Sequence, residues 1–319
     1  MDYTTTGDMA ADYITYVCVS TPNLDKLKRN FELILPYVDK VVIVTGRRDE
    51  EAEEFLATFD KVTTVYRPWS DSFRDQYQVG LDIIEGGWML WLDDDEVPSR
   101  EALKILREII KQSQNAKRFD TVSFRSCDVR DGQAGEPTDY YRELFTAWNP
   151  RLRFEINLHQ AMVGKVRGVR CNEIYYHHKS EEGNMIGACR DFFVAGVWAD
   201  AKESFEYWHK LTGEDPRLNR GAPLVPQPQG QAYPLQDGFR IDAWHEMKDI
   251  LKRNHPEINY FHELIPLIRS GEVCQEFVEW AERHTEENDN RPHLHELHKF
   301  GPYIKYCEEK RNLNENSST

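Results

Sequence analysis

The sequence predicts an α/β fold: a largely parallel open sheet flanked by helices through residue 130, then a C-terminal helical region. Three observations carry this. Short β-rich runs alternate with amphipathic segments up to residue 130. The run KVVIVT is continuously apolar, as a strand covered on both faces is. After residue 130 the alternation stops.

Taken in order, DYITYVCVS (12–20) is the first strand, β-rich and ending in a turn. NLDKLKRNFELILPYV places Leu24, Leu27, Phe31, Leu35 and Val38 mostly at helical spacing, with Asn23 as the residue able to cap it. KVVIVT (40–45) is the second strand, and DEEAEEFLATF a helix whose early acids suit the positive end of its dipole. KVTTVYR (61–67) is the third strand, and SDSFRDQYQVGLDIIEGG a helix closed by glycines. WMLWL is a fourth strand running into Asp93, Asp94, Asp95 and Glu96. SREALKILREIIKQS is a helix capped by Ser99, and DTVSFRSCDV returns as strand.

Past residue 130, DGQAGEPTDY is a loop and short aromatic strands lead to NEIYYHH. From Asn184 to about Lys210 the spacing is helical, with Phe192, Val197, Trp198, Phe205 and Trp208 as packing positions. A Pro-, Gly- and Gln-rich stretch follows, then three or four helices to Glu309. The expected division is 1–183 as the α/β domain, 184–308 as the helical region and 309–319 as a disordered tail.

Net charge of −15 excludes a general polyanion binder. A local basic zone at 140–172, with Arg142, Arg151, Arg153, Lys165, Arg167 and Arg170 against Glu143 and Glu155, suits a small anion. Chance clustering on a solvated face is the plainer account. No run approaches the ~20 apolar residues of a membrane helix, so no membrane insertion is expected. Six scattered cysteines without C-x-x-C, and no signal-peptide pattern, point to reduced thiols and a cytoplasmic protein.

The four acids pose the chemical question. Like charges crowded at a strand end need a counter-charge. Two carboxylates one residue apart there can share a hard divalent cation, which takes oxygen ligands. If the cation also grips a diphosphate, it neutralises the leaving group as its bond breaks. Helix capping is the plainer reading, but Ser99, after Pro98, already serves that end. Asp-x-Asp alone recurs by chance; an apolar strand in front of it, in an alternating α/β region, makes it informative.

WMLWLDDDEVPS resembles the Asp-x-Asp-Glu segment of family 2-like glycosyltransferases, enzymes of GT-A fold. LPYVDKVVIVTG resembles their second strand, and WSDSFRDQYQVGLDIIEGG their helix leading into the metal strand. PRLRFEINLHQ resembles the segment that often ends Val-His-Glu, and IYYHH their late strand ending in histidines. The likeness spans roughly residues 12 to 180. It implies a GT-A type, Rossmann-like mixed sheet, a Mn2+ or Mg2+ ion, and a nucleotide-sugar donor, UDP-sugar foremost. It further implies sugar transfer, with inversion, to an acceptor whose site the helical region shapes.

By the same resemblance Asp95 would bind the metal and Asp93 the ribose or, through water, the metal. Asp94 would occupy the variable middle position and Glu96 would orient its neighbours. The donor set is Asp93, Asp71, Arg74, Arg142 and Thr45; the metal set is Asp93, Asp95, His159 and His178. Strand alternation leaves either His177 or His178 facing inward. Three departures stand out. VTGRRDE replaces the usual Asp-Thr-Gly-Ser-x-Asp, Tyr77-Gln78 the usual Arg-Asn pair, and Gln160 the usual Glu.

An inverting displacement needs a base for the acceptor's proton, and Glu155 and Asp139 are the candidates, each also readable as a surface acid. Among the dense aromatics at 140–176, most read as core, and Trp148 as an acceptor wall. The acceptor classes are a glycan, a protein, a lipid-linked sugar or a modified nucleic acid such as a hydroxymethylated base in DNA. Two other readings share the sheet: a nucleotidyl or phosphoryl transferase, and a non-catalytic binding module.

Overall fold

The computed structural model describes residues 11–20, 23–69, 72–116, 119–155, 161–165, 167–212, 240–286 and 297–317, with backbone alone at 116, 155, 161, 198, 201–212, 286 and 317. The chain divides into two compact units, Met1–Ser180 and Glu181–Thr319.

The first unit contains β1 (Ile14–Ser20), α1 (Leu24–Ile34), β2 (Lys40–Thr45), α2 (Glu50–Ala57), β3 (Val62–Tyr66) and α3 (Phe73–Asp82). It continues with β4 (Trp88–Asp93), β5 (Glu96–Pro98), α4 (Arg100–Ala116), β6 (Thr121–Arg130) and β7 (Gln133–Ala134). β8 (Tyr141–Ala147), β9 (Arg153–Glu155), β10 (Ala161–Val163) and β11 (Gly168–Lys179) complete it. The main sheet has the order β3-β2-β1-β4-β8-β6-β11-β5, with β7 on β6; β9 and β10 pair separately. β1 to β4 are mutually parallel, as are β6 and β11, whereas β8 is antiparallel to both β4 and β6. The fold is therefore a mixed α/β sheet, as expected.

Strand order positions the site. The chain steps outward from β1 through β2 to β3, then returns to lay β4 on the other side of β1. The carboxyl ends of β1 and β4 thus meet at a switch point, where connecting segments diverge and leave a crevice. β1, β2 and β4 are buried along most of their length because both faces are covered. Tyr16, Cys18, Ile43, Leu90 and Leu92 pack with Leu27 and Phe31 of α1 and Leu103 and Leu106 of α4. Val17, Val42, Val44, Met89 and Trp91 pack with Tyr77 and Leu81 of α3.

Local sequence sets the helix ends. The Asn23 side chain accepts from the Lys26 N–H at 3.0 Å, and Ser99 Oγ from the Ala102 N–H at 3.0 Å. α1 stops at Ile34 and tightens to a 3-10 turn over Leu35–Tyr37, short of the expected Val38. Pro36 has no N–H to donate to the Glu32 carbonyl, so the i→i−4 ladder cannot continue through it.

The second unit has helices α5 (Glu181–Thr212), α6 (Ile241–Asn254), α7 (Phe261–Ser270), α8 (Gln275–Glu286) and α9 (Phe300–Ser317). Phe192, Trp244, Phe261, Phe277, Trp280 and Phe300 form its own core. Two expectations are corrected here. Val197 is 44 % exposed rather than packed. The segment 309–317, expected as disordered tail, continues α9. Tyr303, Ile304 and Cys307 anchor the start of that helix, and Glu308, Glu309, Lys310 and Arg311 are good helix formers that extend an existing nucleus. Among the described residues no helix is long and apolar enough to cross a membrane, and the six cysteines are free thiols.

Candidate active site

β4 ends at Asp93 and β5 begins at Glu96, so the four acids form a turn at the switch point. Glu96 Oε2 accepts from the Asp93 N–H at 3.0 Å. Arg142 of β8 donates to Asp93 Oδ2 at 3.1 Å and to Glu96 Oε1, with its guanidinium 4.7 Å from the centre of the Trp91 ring. The Tyr77 hydroxyl donates to Asp93 Oδ1. Burial pushes the Glu96 carboxyl up to about 8, opposed by Arg142. Burial would lower the Arg142 pKa, but Glu96 and Asp93 outweigh it and hold it above its usual value. Arg142 is thus the internal counter-ion of two of the acids.

Asp94 is tied elsewhere. Its carboxylate accepts from Ser20 Oγ at 3.1 Å and from Lys26 Nζ at 2.8 Å. Its carbonyl accepts from Arg29 and from Asn30 Nδ2, each at 3.0 Å. Burial works against the Lys26 charge, but Asp94 raises the Lys26 pKa overall.

Asp95 remains. Burial, then Asp93 and Asp94, push its carboxyl up to about 6. His177 Nε2 lies 3.9 Å from Asp95 Oδ2. Burial lowers the His177 pKa, with Lys179 adding to the effect, so its imidazole is neutral near pH 7 and able to act as a ligand. Of the two histidines, it is the His177 ring that lies near the Asp95 carboxylate. β11 pairs with β5 at His177↔Glu96, and His178 supplies its backbone N–H to the Asp95 carbonyl at 2.8 Å. The His178 ring takes its downward pKa shift from burial, then from Arg29 and Lys26.

The other expected residues are dispersed. Thr45, at the end of β2, donates to the Arg47 carbonyl at 2.6 Å. Arg74 binds Asp75 at 2.7 Å, beside Arg67 at 3.2 Å from the same carboxylate. Asp139 is fully exposed and pairs with Arg125 at 3.3 Å. Lys165 pairs with Glu143, and Arg170 lies over Tyr141. Trp148 is partly buried against the cluster containing Tyr77 and Trp91. Arg151, Arg153 and Arg167 are exposed. Asp71 and His159, and the side chain of Glu155, lie outside the described residues.

Sequence reasoning missed the α1 contribution: Lys26, Arg29 and Asn30. Their i, i+3, i+4 spacing on the helix that leaves β1 was the available signal. Tyr77 was noticed only as a departure, yet its ring packs against Trp91 and Phe154 while its hydroxyl holds Asp93. Among the described residues no three His, Cys, Asp or Glu side chains converge as a ready-made metal site.

No protein-family model matches the chain, and no curated protein matches it. Among solved structures it is similar to the crystal structure of 4-diphosphocytidyl-2C-methyl-D-erythritol synthase, with 15 % identity and a TM-score of 0.31 over 44 % of this chain and 75 % of that one.

Proposed function

We propose that this chain is a metal-dependent glycosyltransferase moving a sugar from a nucleoside-diphosphate donor, a UDP-sugar foremost, to an acceptor with inversion. The distribution of charge in the acid turn carries the reading. Asp93 and Glu96 share Arg142 and Asp94 has Lys26, whereas among the described residues Asp95 has no hydrogen-bonded cation and its carboxyl is raised to about 6. One carboxylate is left needing a positive charge, at the carboxyl end of a strand beside the switch point.

The donor set fits a cation held jointly by protein and diphosphate. Mg2+ is commonly bound through one or two carboxylates plus substrate phosphates, so a three-ligand cage is not required. Asp95 and neutral His177 would hold the ion, and when bound it balances the charge of the departing diphosphate. Tyr77 and Arg142 fix the orientation of Asp93 toward the donor. For the acceptor's proton Glu155 is preferred over Asp139. Its neighbour Phe154 packs on Tyr77 and Trp91, so β9 runs beside the turn's supports, whereas Asp139 is spent on Arg125.

The test is thermal stabilisation by UDP, GDP, CDP and TDP with and without Mn2+, followed by turnover of the matching nucleotide-sugar. Metal-dependent stabilisation with release of free sugar or glycosylated acceptor is the expected result. Transfer of a nucleoside monophosphate with pyrophosphate release would replace the reading by nucleotidyl transfer. No binding of any nucleotide would leave a binding module.

A further inference from the structure

We propose that Lys26, Arg29 and Asn30 of α1 are positioning residues that, by gripping Asp94, set the conformation of the Asp93–Glu96 turn and so aim Asp95. This deepens the function proposed above and rests on it for the role of Asp95.

Four donors from one direction converge on a single residue. Ser20 and Lys26 bind the Asp94 carboxylate, and Arg29 and Asn30 bind its carbonyl. Ser20 ends β1, and the other three lie within the first two turns of α1. Asn30 is 1 % exposed and Asp94 is buried, so these bonds run largely out of water, where an unmade one is costly. The next residue is Asp95, whose carbonyl is fixed by the His178 N–H. The turn is therefore clamped from two sides: α1 holds the peptide before Asp95, and β11 the peptide after it. Capping does not account for these bonds, since α1 has its own cap in Asn23. A side chain that presents a ligand at a fixed distance needs its backbone held in this way.

Electrostatics alone and positioning predict opposite signs. Removing a cation a few ångströms from a cation site strengthens cation binding by relieving repulsion. Removing a positioning donor weakens it. The variants are Lys26→Met, Arg29→Met and Asn30→Ala, with Lys26→Arg as conservative rescue. Lys28→Met, an exposed charge on the same helix, controls for the loss of charge.

Two readouts are needed on the full chain. Amide hydrogen exchange across 93–98 in the metal-free protein reports the clamp itself, and Mn2+ affinity reports its consequence. The expected result is faster exchange confined to that segment and Mn2+ binding weaker by about tenfold or more in the three loss variants. Lys26→Arg should recover most of both, and Lys28→Met should change neither exchange nor fold. Unchanged exchange, or Mn2+ binding equal to or tighter than wild type in Lys26→Met and Arg29→Met, would overturn the proposal. If the wild type binds no Mn2+, the function proposed above fails. The aiming role then fails with it, whichever way the exchange result falls. Should Asn30→Ala not fold, the Lys26 and Arg29 variants, at half-buried positions, decide the matter.

Discussion

The upward shift of Asp95 to about 6 has a definite sign in stability. An acid with a raised folded pKa binds more protons in the folded state between its ordinary 3.8 and about 6, so folding loses stability as pH rises through that window. Asp95→Asn is therefore expected to raise the melting temperature at pH 7 and to lose that advantage near pH 4. With its side chain 32 % exposed, solvent screening limits the gain to the order of 1 kcal/mol. The same variant should lose Mn2+-dependent nucleotide binding; paired melts at the two pH values and a nucleotide titration check both. Arg142 behaves oppositely. Arg142→Met leaves Glu96, 1 % exposed, without its counter-ion; because burial already pushes that carboxyl up to about 8, the cost in urea unfolding should be modest near pH 7 and rise toward about 3–5 kcal/mol at higher pH, with Glu96→Gln in the same chain recovering a large part. Tyr77→Phe keeps the ring packing and deletes one bond to Asp93. A loss of about 1.5–3 kcal/mol is expected, together with slower donor turnover.

Among the elements, α3 packs closely on the sheet. Gly80 faces β1 and β2, and a Cβ there would meet Val17 Cγ1 at 2.8 Å and Val44 Cγ2 at 3.2 Å. Both neighbours are short, stiff, fully buried side chains. Gly80→Ala gains about 1 kcal/mol of helix propensity. It also incurs about 1–3 kcal/mol of overpacking. Net destabilisation of up to about 2 kcal/mol is expected, and because α3 carries Tyr77, donor affinity should fall with it. An alanine at 80 that raised the unfolding midpoint would show that α3 can back away from the sheet. α1 and β5 make the complementary point: besides packing Leu27 and Phe31 into the core, the eleven-residue helix, like the three-residue strand, bears on the acid turn.

For the whole molecule, each unit has its own core: residues of 14–175 build two clusters in the first, and residues of 189–307 build one in the second. A chain ending at Ser180 should therefore unfold cooperatively on its own, with its aromatic near-ultraviolet signal retained; a non-cooperative melt would show that the first unit is incomplete. Net charge of −15 bears on the acceptor. Lys165 and Arg170 are already engaged by Glu143 and Tyr141, which reduces the basic zone seen in sequence. Donor hydrolysis and acceptor transfer should then respond to salt alike and mildly. A steep loss of transfer alone would reveal a polyanionic acceptor through counter-ion release.

The alternation of strands and helices, the caps at Asn23 and Ser99, and the acid turn after WMLWL were legible in the sequence, because each is a local property of spacing or residue type. Pairing across the fold was not. That Arg142 answers Asp93 and Glu96, that α1 grips Asp94, and that His177 faces Asp95 depend on which strands become neighbours. The partners stand from 46 residues apart, for Arg142 and Glu96, to 82 (177 − 95), for His177 and Asp95. Sequence determined that four carboxylates would crowd at a strand end; only the tertiary structure decided that Asp93, Asp94 and Glu96 receive a hydrogen-bonded counter-charge and that, among the described residues, Asp95 does not. The reason is physical: charge crowding is written in consecutive residues, whereas its neutralisation acts through space across chain segments the sheet alone brings together.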